Sequence, residues 1–219
     1  MATPSAMKDD VALYKRELIL RAAGELFFRN GYTATTTDAL TERLSVSKTL
    51  IYQHFRSKQD MLATICERGI SESVQVAIDA AALPGRADER LFRLLHDFTL
   101  VVIERHEWIA ISSREVAHLP ADVDQRIRDM QGDFDRIVRD IIKDGLREGV
   151  FDVEDPAIVC LGIAGMIIWI HAWYRGSGRL TPEQIADSMA RSALRMVGAP
   201  DRPALETALS DRSSTGKLD

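Results

Sequence analysis

Apolar residues recur along most of the chain at three- and four-residue spacing, and the strict alternation of a half-buried strand is nearly absent. Between Tyr14 and Asn30, the residues Leu18, Ile19, Ala22, Ala23, Leu26 and Phe27 share one face, and Gly31 offers a C-terminal stop. This predicts a first amphipathic helix. Thr35 and Thr36 can cap a short second helix to about Leu44, and Ser47 a third from Lys48 to about Phe55. Ser57, with Asp60 three residues on, has the form of a capping box opening a long helix toward Ala82, which LPGRAD breaks. Further helices are expected over about 88–105, 107–119, 121–148, 156–174 and 182–197. The expected fold class is all-α, about nine helices. Residues 1–10 and 200–219 lack apolar periodicity and read as flexible tails. Between them lie a three-helix head over 11–58 and a helical body over 59–199.

On the third helix, 100° per residue places Ile51 and Phe55 on one buried stripe, with Thr49 and Gln53 opposite and Tyr52 at the edge of that outer side. Lys48 and His54 flank the stripe, and Leu50 is the one apolar residue left largely outside. A helix of about two turns cannot stand alone. Ile51 and Phe55 must therefore hold it against the first two helices, which leaves its outer face for another partner. Two short helices joined by a turn near Ser45 and backed by a longer one form a helix-turn-helix, whose second helix enters the DNA major groove. The motif spans about 36–55. Hydroxyls of Tyr and Thr suit phosphate, Gln can pair with a base edge, and Lys48 and Lys58 add positive charge at either end.

The overall charge of −5 argues against a nucleic-acid partner until it is divided along the chain. Residues 11–58 carry eight Lys/Arg against four Asp/Glu, a balance of +4, which leaves −9 for the remainder. A basic head on an acidic body points to two parts with different partners.

The ordered stretch NGYTATTTDALTERLSVSKTLIYQHFRSKQDML resembles the N-terminal DNA-binding domain of the TetR family of transcriptional regulators. The features that carry it are Gly31 with Tyr32, Thr35 to Thr37, Val46 with Ser47, Ile51 with Tyr52, His54 with Phe55, and Ser57 with Lys58. The match runs over about 13–65. It implies phosphate or base contacts from Thr36, Thr37, Lys48, Thr49, Tyr52, Gln53, His54 and Lys58, with Ile51 and Phe55 structural. Three positions depart from the pattern: Ser45 stands at the usual turn glycine, Thr41 at a small residue, and Thr49 where glycine often follows the lysine. Ser45 must then either avoid a strongly positive φ or accept some strain.

The resemblance also implies a homodimer on a two-fold-related operator, with repression as the default and a small-molecule ligand in the C-terminal helices. The last two helices are the expected dimer interface, through Ile185, Met189, Ser192 and Met196, with Gly162 and Gly165 allowing close approach. Packing within one protomer is the competing reading of that stripe. Candidates for the ligand pocket are Phe98, Val102, Trp108, Phe134, Val138, Met166, Trp169 and Trp173, each of which can equally serve the core. The stretch WYRGSGRLTPEQIADSM is similar to the C-terminal part of family members tied to lipid, steroid or acyl-CoA catabolism. That likeness implies an acyl-CoA or lipid-like ligand, with Arg175 and Arg179 meeting an anionic head group, unless both are solvated surface arginines. A regulator of efflux sensing cationic or aromatic compounds, or one governed by a protein partner or thiol oxidation, is the alternative.

The five histidines show no metal-ligand spacing, and there is neither H-E-x-x-H nor G-x-S-x-G nor a glycine-rich phosphate loop. No enzyme, metal site or cofactor is expected. Two scattered cysteines, Cys66 and Cys160, fit a reducing cytoplasm. The longest uncharged run, Pro156 to Tyr174, contains Gly162, Gly165 and His171 and reads as a buried helix in preference to a membrane span.

Overall fold

The computed structural model describes residues 4–199, with side chains from Asp10 onward. Regular structure among the described residues is helical throughout. The helices are α1 (Pro4–Asn30), α2 (Thr37–Leu44), α3 (Lys48–His54), α4 (Lys58–Ala81), α5 (Ala87–Glu104), α6 (His106–Glu115), α7 (Ala121–Arg147), α8 (Pro156–Ile168), α9 (Ile170–Trp173) and α10 (Pro182–Met196), with a 3-10 turn at Val116–His118 after α6.

Two expectations change. Helix α1 starts at Pro4, well before the periodic stretch, so most of the expected tail 1–10 is helical. Proline's fixed φ suits a first helical position, where its missing N–H costs nothing. Residues 1–3 and 200–219 of the expected tails lie outside the described residues. The helix expected over 156–174 is instead divided at Trp169, where Ala172 N–H donates to the Trp169 carbonyl at 3.0 Å, a tighter i to i+3 bond. It is also not a buried helix. Only 22% of Pro156–Trp173 is buried, with Ile158 and Leu161 64% and 59% exposed.

The described residues group into two compact units. The first takes the described residues up to Val74, Val101–Gly132 and Trp169–Gly176, and therefore more than the head expected over 11–58. Its core explains the addition: Phe27, Leu40, Ile51, Phe55, Met61 and Leu62 are joined by Trp108 and Ile111 of α6 and Val123 and Ile127 of α7. Trp108 lies so close to α1 that a Cβ on Gly24 would stand 2.6 Å from its Nε1, so only glycine admits the indole there. Arg105 reaches over the Trp108 ring and donates to Glu72 from Nε at 2.7 Å.

The second unit takes Gln75–Leu100, Asp133–Ile168 and the described residues from Ser177 onward. In it Phe98 packs on Phe134 with ring centroids 4.6 Å apart, and Phe151 fills the space a side chain at Gly145 would need. Thr181, Pro182 and Gln184 form a full capping box on α10, which packs against α8. Residues of α8 at helical spacing, Ile158, Leu161, Gly162, Gly165 and Ile168, stay exposed, as does Met196 of α10.

Candidate nucleic-acid interface and adjoining cavity

Helix α3 is held from below. Ile51 and Phe55 are fully buried, and Ser47 caps the helix by accepting from Leu50 N–H at 3.3 Å. Arg16 of α1 donates to the His54 carbonyl and lies over the Phe55 ring at 4.0 Å, tying down the C-terminal end. With that side fixed, Lys48, Thr49, Tyr52 and Gln53 are exposed together, while His54 and Leu50 are half-buried.

Helix α2 presents the other part of this surface. Thr36 is its N-cap, its hydroxyl accepting from Ala39 N–H at 3.1 Å. Thr35, expected as a second cap, turns inward and donates to the Leu26 and Gly31 carbonyls at 3.1 and 2.8 Å. The Thr37 and Tyr52 hydroxyls meet at 3.2 Å, so α2 and α3 share one polar edge. Lys48 Nζ stands 2.6 Å from the Asp38 carboxylate, whose hydrogen bond and charge raise the lysine above its ordinary value. The turn between the helices accepts strain: Ser45 has φ 55° and ψ 43°, with its N–H on the Glu42 carbonyl and Val46 N–H on the Thr41 carbonyl.

Lys58, expected at phosphate, has its ammonium engaged by the backbone. Its ammonium donates to the Tyr32 and Thr35 carbonyls at 2.7 and 2.8 Å and lies over the Tyr32 ring. Those donors close the junction between α1 and α2. Ser57 accepts from Asp60 N–H as expected, but the Asp60 carboxylate returns to Arg56 N–H.

The same unit contains a cavity of about 470 Å³, lined by Phe28, His106, Ala110, Arg114, and residues 171–176 except Trp173. None of the eight expected pocket residues lines it. Phe98, Val102, Trp108, Phe134 and Val138 are buried, Met166 is half-buried, and Trp169 and Trp173 are exposed. Arg175 does line the cavity, whereas Arg179 does not. The residues missed from the sequence, Phe28, His106 and Arg114, come from helices far apart in the chain, and no spacing connects them.

Neither cysteine is poised to react. Burial pushes Cys66 up to about 11, and burial with the Asp135 carboxylate does the same for Cys160. Among the described residues no group of three His, Cys, Asp or Glu could hold a metal ion.

Residues 19–65 match the family described as bacterial regulatory proteins, tetR family, and residues 84–197 match the tetracyclin repressor-like C-terminal domain. The chain is similar to the transcriptional repressor KstR2 of Rhodococcus jostii (strain RHA1), at 24% identity over 193 residues, covering 85% of this chain and 92% of KstR2. It shares its fold with the TetR-family regulator PfmR of Thermus thermophilus, at TM-score 0.75 and 24% identity, covering 84% of this chain and 99% of PfmR. AibR, solved with isovaleryl coenzyme A and operator DNA, has TM-score 0.69 and 23% identity, covering 81% of this chain and 97% of AibR. Matched by both family domains and carrying the helix-turn-helix just described, the chain belongs to the TetR family of DNA-binding transcriptional regulators and is not an enzyme.

Proposed function

We propose that this regulator is a cytoplasmic repressor that binds a palindromic operator as a homodimer and is released by a small apolar or amphipathic ligand, such as an acyl-CoA or lipid-like metabolite. The observation that carries the DNA contact is α3 itself, pinned at Ile51 and Phe55 with Lys48, Thr49, Tyr52 and Gln53 exposed as a set. Thr49, Tyr52 and Gln53 then reach base edges and phosphates in the major groove, while Thr36, Thr37 and Lys48 serve the backbone. The open apolar face of α8 with Met196 of α10 supports dimerisation through these helices. Ile185, expected in that interface, is buried within the protomer. The likeness to KstR2, named a repressor, and to AibR, solved with an acyl-CoA, supports the mode and the ligand class. Thiol control is disfavoured by the two buried, weakly acidic cysteines.

Selection of bound duplexes from a randomised pool tests the reading. An inverted repeat with half-sites about one helical turn, roughly 34 to 36 Å, apart is expected. Ile158→Glu with Leu161→Glu should yield monomers that no longer retain it. A lone half-site held by a single wild-type protomer would contradict the proposal.

A further inference from the structure

The cavity beside α1, α6 and α9 has a definite chemistry. Phe28, His106 and Tyr174 meet edge to face, with centroids 6.4 and 5.3 Å apart, and form an aromatic wall. His106, which lines the cavity, is held by its Nδ1, which donates to the Ile103 carbonyl at 2.8 Å. Two guanidinium groups, Arg114 and Arg175, complete the lining, and among the described residues neither lies within 4.0 Å of a carboxylate. Most arginines elsewhere in the chain are paired, Arg90 with Asp144 and Arg105 with Glu72 among them. Two uncompensated cations beside aromatic surface attract an oxyanion and repel a cation. The volume lies within the range of about 300 to 1,000 Å³ usual for small-molecule sites.

Arg114 also reaches the DNA-binding head. From Nε it donates to the Ala110 carbonyl and from Nη2 to the Phe28 carbonyl in the last turn of α1, both at 3.2 Å. The neighbouring Glu115 accepts from Tyr32 N–H at 3.2 Å. Tyr32 in turn gives its carbonyl to Lys58, so the end of α6 holds the α1 to α2 junction that leads to Thr36 and Thr37.

We propose that this cavity is an effector site for a small amphipathic oxyanion, a carboxylate or phosphate monoester carrying an alkyl or aromatic body, with Arg114 passing occupancy to the operator-binding head. The proposal rests on reading the chain as an effector-controlled operator binder. An oxyanion competes with the neutral Phe28 carbonyl for the guanidinium and forms the stronger, charge-assisted bond. Occupancy that draws Arg114 from Phe28 loosens the junction, and coupling of the usual size weakens operator binding roughly 5- to 150-fold. The ligand must prefer the state with Arg114 released.

The test uses the full chain and four probes of equal chain length: octanoate, octyl phosphate, octanol and octyltrimethylammonium. Calorimetry reads binding to the protein, and fluorescence anisotropy reads operator affinity with and without each probe. Expected is binding by octanoate or octyl phosphate, the tighter of the two identifying carboxylate or phosphate as the natural head group, with octanol and the ammonium probe far weaker. Arg175→Ala should reduce that binding about tenfold, as the loss of one charge-assisted contact requires. Arg114→Lys, which keeps the charge without the fork, should bind the probe yet show a smaller change in operator affinity than wild type. Equal binding of all four probes, or unchanged binding in Arg175→Ala, overturns the site. Wild-type binding of an anionic probe with no change in operator affinity overturns the coupling. Failure to bind any duplex, with the anion preference intact, would sink the functional reading while supporting the site.

Discussion

Gly24→Ala sets two opposed effects against each other within the helix that carries the head. Alanine in place of glycine inside a helix stabilises by about 1 kcal/mol. At this position the new Cβ stands 2.6 Å from Trp108 Nε1 and 3.2 Å from its Cδ1. The indole is 6% exposed and lies beneath Arg105, which Glu72 holds, so it has little room to retreat. Overpacking of this kind costs about 1 to 3 kcal/mol, and the clash should win with a net loss of up to about 2 kcal/mol. In a Trp108→Val background neither Nε1 nor Cδ1 is present, and the crowding is gone. The same Gly24→Ala change should then stabilise by up to about 1 kcal/mol. Urea unfolding followed by far-ultraviolet circular dichroism, with unchanged m-values, measures all four corners of the cycle. Destabilisation of equal size in both backgrounds, or stabilisation in the wild type, would refute the packing of α6 against α1 on which the head depends.

Other expectations are direct. Lys48→Ala should flatten the salt dependence of operator binding by about 0.9 per protomer, so that between 50 and 200 mM salt the dimer loses roughly 12-fold less affinity than wild type; an unchanged slope would remove Lys48 from the phosphates. Asp38→Asn, which frees Lys48 from its ion pair, should tighten binding at low salt, as read by anisotropy. Lys58→Met should leave the salt slope alone and lower head stability by about 1.5 to 3 kcal/mol in thermal unfolding, because two carbonyls lose a charged donor. The thiols of Cys66 and Cys160 stay protonated in the fold to about 11, against 9.0 when free, so stability is full below pH 9 and falls as pH rises toward 11. Urea midpoints across that interval check this, and a rise would reverse the sign.

The recognition helix was legible from its sequence because its information is local. Ile51 and Phe55 lie four residues apart, and their burial determines where Thr49, Tyr52 and Gln53 face. The Ser45 turn could be located but not resolved, since sequence left open whether serine takes a positive φ, and it does. The backbone bonds of Lys58 were not legible because the carbonyls it serves belong to Tyr32 and Thr35, more than twenty positions back. Large apolar residues were a poor guide to the cavity: Trp108 and Val102 fill the core, while the lining is a mixture of arginine, histidine and aromatic residues drawn from three helices. Helix α8 erred in the opposite direction. Its unbroken apolarity predicts burial, yet Ile158 and Leu161 are exposed on the described chain, and the proposed homodimer would cover them.

The most direct test of the DNA-binding face is operator affinity in the double variant Lys48→Ala with Tyr52→Ala, measured by anisotropy beside wild type, with sedimentation confirming that the oligomeric state is kept. Both side chains are exposed and carry no part of the core, so the fold should survive. Expected is a severe loss of operator binding by an intact dimer. Wild-type affinity in that variant would contradict the assignment of α3 as the surface that meets DNA.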